Sequence, residues 1–313
     1  MKKVIVLGSV NMDMVMLTDR LPEIGETLLG ETIDYYVGGK GANQAVAAAR
    51  FGAATALIGK VGADIFGIKA YDHLKKEQID MTAVTKEKTS ATGVASIFKL
   101  QTDNAIVVLP GANRLLTDGG ALVADKISSG DIFLTQLEIP LPTVLEGLKK
   151  AKEKGATTIL NPAPYHEKVL ELLPYVDYIT PNETEFAGMT GTIFETGAQL
   201  EAAMLTWART HRTHLIVTRG AAGTSYTTAS GVVTVPAEKV QVVDTTGAGD
   251  TFNGIFAAAL AAGQALATAV ALAGAGATLS VTKLGAQTGM PTQAEVAQDY
   301  VTFERYLLKS FSL

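Results

Sequence analysis

The chain has 313 residues, of which 47% are hydrophobic and 18% charged, a balance that suits a soluble protein with a large apolar core. A net charge of −5 with no basic cluster argues against a nucleic-acid-binding surface. The absence of cysteine excludes disulfides and thiolate metal sites and agrees with a reducing, cytoplasmic setting.

Met1-Lys2-Lys3 followed by V-I-V-L has the outline of a signal peptide, but Asn11 and Asp13 end the apolar run too soon, so 3–8 reads as a first strand. Residues 12–18 and 29–37 read as extended segments of mixed polarity. A Gly-rich turn then runs into an Ala-rich helix over 42–52. Apolar runs predict further strands at 55–59, 131–135, 157–160, 176–180 and 214–218, and helical patterns cover 66–78, 142–154, 199–211 and 250–262. Segments 92–100 and 105–109 read as a hairpin around T-D-N. Alternation of strands with helices predicts an α/β fold with a mostly parallel central sheet covered on both faces. The weakly polar stretch from Ile255 to Val281 is longer than a membrane span, but it is mostly Ala and Gly and is interrupted at Gly263-Gln264. It reads as two tightly packed buried helices, with no membrane partner. Neither an internal repeat nor a long linker divides the chain, so a single domain over 1–313 is expected.

The most informative stretch is D-T-T-G-A-G-D at 244–250, running into the apolar helix T-F-N-G-I-F-A-A-A-L. Gly247 and Gly249 let the backbone turn sharply, so that the amides of Gly247, Ala248 and Gly249 can form an anion nest at the positive end of a helix. Asp250 adds a carboxylate inside that nest. Phosphoryl transfer to an alcohol needs this pairing: the nest holds the moving phosphate and the acid takes the hydroxyl proton. The alternative is a Gly-rich helix cap with an acid in its first turn. No G-x-G-x-x-G follows the first strand, and no P-loop or protein-kinase motif occurs. His211 and His214 lie one helical turn apart, but no carboxylate or cysteine completes a metal site, so they read as surface histidines.

Three segments, G-S-V-N-M-D at 8–13, G-G-K-G-A-N-Q-A-V-A-A at 38–48 and D-T-T-G-A-G-D-T-F-N-G at 244–254, closely resemble the ribokinase branch of the PfkB family of carbohydrate kinases. Weaker matches fall between them in the family's order: N-P-A-P at 161–164, P-N-E-T-E at 181–185 and T-R-G-A-A-G at 218–223. The resemblance covers essentially the whole chain. It implies a ribokinase-like α/β fold in which segments of about 12–37 and 92–110 form a small β-sheet lid over the sugar. It also implies ATP-dependent phosphorylation of D-ribose at O5, with Mg²⁺ and K⁺ as cofactors and a homodimer formed through the lid. A kinase for deoxyribose, another sugar or a nucleoside is the alternative. A non-catalytic sugar-binding sensor is a third reading, against which the intact Asp250 nest counts.

On this resemblance Asp250 is the general base. Asn11, Met12 and Asp13, at the end of the first strand, read the sugar hydroxyls, together with Gly38, Gly39, Lys40, Gly41, Ala42 and Asn43 and with Glu138 in T-Q-L-E-I-P. An N-x-x-E pair, Asn182 and Glu185, orders Mg²⁺, which keeps several waters and needs few carboxylates. The same pair also reads as a helix N-terminus with Asn182 as its cap. The loop Thr218, Arg219, Gly220, Ala221, Ala222 and Gly223 passes beneath the nucleotide. A monovalent cation is expected between Asp244 with the Thr246 carbonyl and the segment carrying Ser280, Lys283 and Gly285. Two positions depart from the family pattern. Gly274 stands where Asn or His is usual near the adenine, and Gly289 ends G-A-Q-T-G where the family tends to have serine.

Overall fold

The computed structural model describes residues 2–100 and 104–298. In chain order its elements are β1 (Val4–Leu7), β2 (Asn11–Leu17), β3 (Thr32–Gly38), α1 (Lys40–Arg50), β4 (Thr55–Gly62), α2 (Ile65–Lys76), β5 (Asp80–Glu87), β6 (Gly93–Lys99) and β7 (Asn104–Leu109). There follow α3 (Gly119–Lys126), β8 (Ile132–Thr135), α4 (Leu141–Glu153), β9 (Thr157–Leu160), β10 (Tyr178–Ile179), α5 (Glu183–Thr190), α6 (Gly197–Thr210) and β11 (His214–Thr218). The last are β12 (Thr224–Thr228), β13 (Gly231–Val235), α7 (Ala248–Ala261), α8 (Leu266–Ser280) and α9 (Ala286–Gly289).

The main sheet has the order β13-β12-β11-β10-β9-β8-β1-β4-β5. From β11 to β5 every pairing is parallel, and β12 and β13 add an antiparallel edge. The unbroken V-I-V-L run of β1 has the pattern of a strand buried on both faces. Val4 and Val6 face a core shared with α1, α2, α7 and α8, whereas Ile5 and Leu7 face a second core shared with α3 to α6. The parallel β/α core therefore matches the sequence expectation. What the sequence pattern did not indicate are the edge strands β5, β12 and β13 and the short helix α3; the helix start read at Asn182 is α5. β12 reads T-S-Y-T-T, so its burial is carried by small hydroxyl side chains rather than by an apolar run.

A separate four-stranded sheet has the order β3-β2-β6-β7. β2 runs antiparallel to β3 and parallel to β6, and β6 and β7 form the expected hairpin. Its turn residues Thr102 and Asp103 lie outside the described residues. Because β2 begins four residues after β1 ends, this sheet grows directly out of the carboxyl end of the central strand. In an open parallel sheet that end is where ligands bind.

The stretch from Ile255 to Val281 is two helices, α7 and α8, joined by a turn at Gly263, which has φ 81°. Among the described residues no helix is long and apolar enough to cross a membrane. α7 also crosses α1 at very short range: a Cβ on Gly254 would come within 2.5 Å of both the Ala47 Cβ and the Gln44 carbonyl. Gly254→Ala must therefore push α7 off α1, and such overpacking costs about 1–3 kcal/mol. Gly274→Ala, in helix α8 where a Cβ meets nothing within 4 Å, should be neutral or stabilising by up to about 1 kcal/mol. Denaturant unfolding of the two variants against the parent checks both signs.

Candidate functional site

The carboxyl ends of β9, β10 and β11 face the N-terminal end of α7 across a cavity of about 750 Å³, which Lys40 at the start of α1 also lines. Gly247 caps α7 in the left-handed conformation, φ 78°, which a side chain would disfavour. Three residues on, Asp250 is buried at 6% exposure with both carboxylate oxygens engaged. Gln44 Nε2 donates to Oδ1 at 3.0 Å and Asn43 Nδ2 donates to Oδ2 at 2.9 Å. In the expected nest, Gly247, Ala248 and Gly249 all line the cavity. The Ala248 N–H turns back to the Thr245 carbonyl at a long 3.3 Å.

Around Asp250 the candidate polyol readers gather. Asn11 Oδ1 accepts from Asn113 Nδ2 at 2.7 Å, and Asn113 also exchanges hydrogen bonds with the Val10 backbone, which pins the corner between β1 and β2. Asp13 stands near Glu138 and Asp250. Burial, reinforced by those two carboxylates, pushes its pKa up to about 7. Glu138 Oε2 accepts from Ser9 Oγ at 2.6 Å and from the Lys40 N–H at 3.0 Å. The Lys40 ammonium is held charged by Asp250 first and then by Glu138 and Glu185, against the cost of its burial, so its pKa is raised.

Three members of the expected sugar set are placed differently from the expectation. Met12 is a core residue at 2% exposure. Gly41 and Ala42 give their backbone N–H groups to Ser9, at 3.3 Å to its Oγ and 2.9 Å to its carbonyl. First-turn amides of a helix need partners, and here the end of β1 supplies them. These residues fix the loop; they do not offer free donors.

At the other end of the cavity, Asn182 and Glu185 make a reciprocal capping box on α5, with Asn182 Oδ1 accepting from the Glu185 N–H at 2.7 Å and Glu185 Oε2 accepting from the Asn182 N–H at 2.9 Å. Both also line the cavity, so the cap reading and the ligand reading coincide on the same pair. Burial raises the pKa of Glu185, partly offset by its hydrogen bond from Asn182 and by Lys40. Thr218, Gly220, Ala221, Gly223 and Gly274 line the cavity, but Arg219 and Ala222 do not. The Arg219 guanidinium instead reaches Glu183 at 3.2 Å and Ser225 at 3.1 Å, tying the loop to α5 and β12. Val235, Pro236, Val240, Val242 and Val281 supply an apolar wall that sequence reasoning missed, because Pro236, Val240 and Val242 sit in a loop with no periodicity while Val235 and Val281 close β13 and α8 far apart in the chain.

Asp244 joins two loops. Its Oδ1 accepts from the Thr246 N–H and its Oδ2 from the Gly285 N–H, each at 2.9 Å. Burial alone would raise this carboxyl, but the hydrogen bonds from Thr246 and Gly285 outweigh it and the pKa is lowered. Ser280 Oγ donates to the Ala277 carbonyl, and the Lys283 ammonium is paired with Glu295, so any cation role left to Lys283 is a backbone one. A Cβ on Gly289 would stand 2.4 Å from the Ser280 carbonyl, so the serine usual in the family does not fit this backbone. His211 lies against Trp207 and His214 against Tyr178.

Sequence reasoning also missed an amide network behind Asp250. Gln136 Nε2 donates to Gln44 Oε1 at 2.6 Å, Gln44 Nε2 also reaches Asn161 Oδ1 at 3.1 Å, and Gln287 Nε2 donates to Asn43 Oδ1 at 2.9 Å. The available signal was a polar amide inside an apolar helix run, as in A-N-Q-A-V.

Residues 1–293 match the family described as pfkB family carbohydrate kinase. A ribokinase of Bacillus subtilis is 41% identical over 299 residues, which cover 95% of this chain and 99% of that protein. A ribokinase of Lactococcus lactis is 40% identical, with coverage of 95% and 96%. The solved structure of Arabidopsis thaliana ribokinase complexed with ribose and ATP matches with a TM-score of 0.86 at 30% identity, covering 95% of this chain and 98% of that one. The small β2-β3-β6-β7 sheet thus corresponds to the lid of a ribokinase-like α/β fold. A family match over residues 1–293 and relatives this similar along nearly their whole length lead to one conclusion: the chain belongs to the pfkB family of carbohydrate kinases.

Proposed function

We propose that this protein transfers the γ-phosphoryl group of ATP to the 5-hydroxyl of D-ribose, giving ribose 5-phosphate and ADP. The observation that carries the reading is the place of Asp250: a carboxylate held at the N-terminus of α7, between a polyol-reading cluster and a cavity with an apolar wall. The ribose oxygen forms a bond to the γ-phosphorus as the bond to the β-phosphate oxygen breaks, and the hydroxyl proton passes to Asp250. The Gly247–Gly249 turn and the helix dipole stabilise the charge on the moving phosphoryl group. Asp13, Asn11, Asn43 and Glu138 hold the sugar, and Lys40 compensates the acids around it. Thr218, Gly220, Ala221, Gly223 and Gly274 border the nucleotide.

Asn182 and Glu185 fit Mg²⁺: a half-buried carboxylate lining the cavity near Lys40 has room for a cation partner, and Mg²⁺ needs only one or two such groups. When bound, that ion neutralises phosphate charge. The loops joined by Asp244 fit a weakly hydrated monovalent cation such as K⁺, held by backbone carbonyls of Thr246, Ser280, Lys283 and Gly285. We further read the chain as one catalytic unit acting in the cytoplasm, with the lid formed by about 12–37 and 92–110. Exposed Ile33, Tyr35, Ile106 and Val107 on that sheet suit pairing of two lids in a homodimer.

Activity with ATP and Mg²⁺ against pentoses, deoxyribose, hexoses and nucleosides should be highest on ribose, and Asp250→Asn should lose ~10²–10⁴-fold in rate with sugar affinity retained. Preference for a nucleoside, or an Asp250→Asn variant retaining more than about a tenth of the parent rate, would overturn the assignment.

Asp13 generates a pH prediction. A sugar hydroxyl donates to the ionised carboxylate, so binding favours the ionised form and expels a proton whenever Asp13 begins protonated. With a free-protein pKa of about 7, ribose affinity should rise as pH rises through 7 and level off above it. The stability sign is opposite: a carboxyl raised from 3.8 contributes stability fully present below 3.8 and lost as pH rises through about 7. Calorimetry in buffers of different ionisation enthalpy should detect the released proton. In Asp13→Ala the pH dependence should vanish and ribose binding should weaken by about 1.5–3 kcal/mol.

Potassium should activate the enzyme mainly through kcat, because ordering the Asp244 loop aims the Gly247–Gly249 amides without touching either substrate. Titration of K⁺ into an organic-cation buffer tests this, and full activity without K⁺ would remove the site. Gly289→Ser should not sharpen the K⁺ response; it should lower thermal stability, since its Cβ meets the Ser280 carbonyl.

A further inference from the structure

We propose that Gln44 is a positioning residue for the phosphoryl-transfer base: it sets the orientation of the Asp250 carboxylate from behind while touching neither substrate. The proposal rests on the reading of Asp250 as base. Gln44 lies on the buried face of α1 with 0% exposure, so it has no access to a ligand. Its amide is fully determined. Gln136 Nε2 donates to its Oε1 at 2.6 Å, which makes that atom the acceptor and leaves both Nε2 hydrogens to be used. One goes to Asn161 Oδ1 at 3.1 Å and the other to Asp250 Oδ1 at 3.0 Å. Asn161 is locked in turn by its donation to the Thr180 carbonyl at 3.1 Å.

The reverse orientation of Gln44 would face its oxygen to the Asp250 carboxylate and to Asn161 Oδ1, so the network admits one arrangement. Gln136 Oε1 is buried with no hydrogen-bond partner, a penalty that comes with presenting the Gln136 NH₂ to Gln44. A neutral amide is suited to this task. It holds a carboxylate in place without cancelling the negative charge that draws the hydroxyl proton, and a carboxylate with about four acceptor sites keeps others for the sugar. Asn43 takes the second oxygen, but Asn43 also borders the sugar cluster, so only Gln44 separates positioning from binding.

The test is a kinetic cycle with Gln44→Met, which keeps length and loses the donor. Single-turnover rates, kcat, both KM values and thermal midpoints are measured for Gln44→Met, Asp250→Asn and the double variant. Misplacing a reacting group by a fraction of an ångström to one ångström costs roughly tenfold to a hundredfold, so kcat should fall by that factor with both KM values within about twofold. In the Asp250→Asn background the same change should alter the residual rate by less than about twofold, because there is no base left to position. If Gln44→Met does not fold, the smaller Gln44→Leu also removes the donor without adding charge, and the same split of kcat from KM is expected. A kcat within about threefold of the parent in the folded variant, a loss carried by KM, or an equal loss in both backgrounds overturns the proposal. An Asp250→Asn enzyme that retains its rate overturns the base reading instead, and that single variant shows it independently of Gln44.

Discussion

The site depends on one contact: the close crossing of α1 and α7 that holds a buried carboxylate between two amides. Asp250 sits in the first turn of α7, while Asn43 and Gln44 sit in the first turns of α1, and the three meet only because the helices approach without side chains between them. Gly254 and Ala47 make that approach possible. Dispersion between small residues at short range is weak per atom pair but adds over a long interface. The small residues of α1 and α7 are therefore a geometric requirement of this crossing and of the buried Asp250 carboxylate it holds.

Charge is the second constraint. Asp13, Glu138, Asp250 and Glu185 share a partly buried region with Lys40 as the central cation. Gathering acids away from water is unfavourable, and Asp13, raised to about 7, bears that cost most visibly. Such unfavourable clusters persist where the surrounding fold over-determines them, and they concentrate at functional sites. Backbone groups spread the remaining load: Glu138 takes the Lys40 N–H, and Ser9 takes those of Gly41 and Ala42. The α1 N-terminus is thus fastened to the ends of β1 and β8.

The two sheets carry different parts of the site. The main sheet is buried on both faces and supports α7 with Asp250, the amide network and the loops that line the cavity. The small sheet leaves β1 through three residues and exposes apolar side chains on β3 and β7. Asn113 ties the junction by bonding both the Val10 backbone and Asn11, so a shift of the small sheet is felt at the end of β1 and the start of β2.

Read alone, the sequence determined the parallel β/α core, the two-helix break at Gly263, the glycine turn that opens α7 at Gly247, the capping pair Asn182–Glu185 and, through its motifs, the family. Those features are local: periodicity, cap chemistry and glycine at a turn act over a few residues. Only the tertiary structure decided that Arg219 turns toward Glu183, that Gly41 and Ala42 serve Ser9, that Met12 is core, and that Gly289 has no room for a side chain. It also decided the amide network, in which Gln44, Gln136, Asn161 and Gln287 come from four distant segments. A hydrogen bond across 206 residues, such as Gln44 to Asp250, leaves no periodic mark on the sequence. Its partners are chosen by where the helices cross, and that crossing is a property of packing.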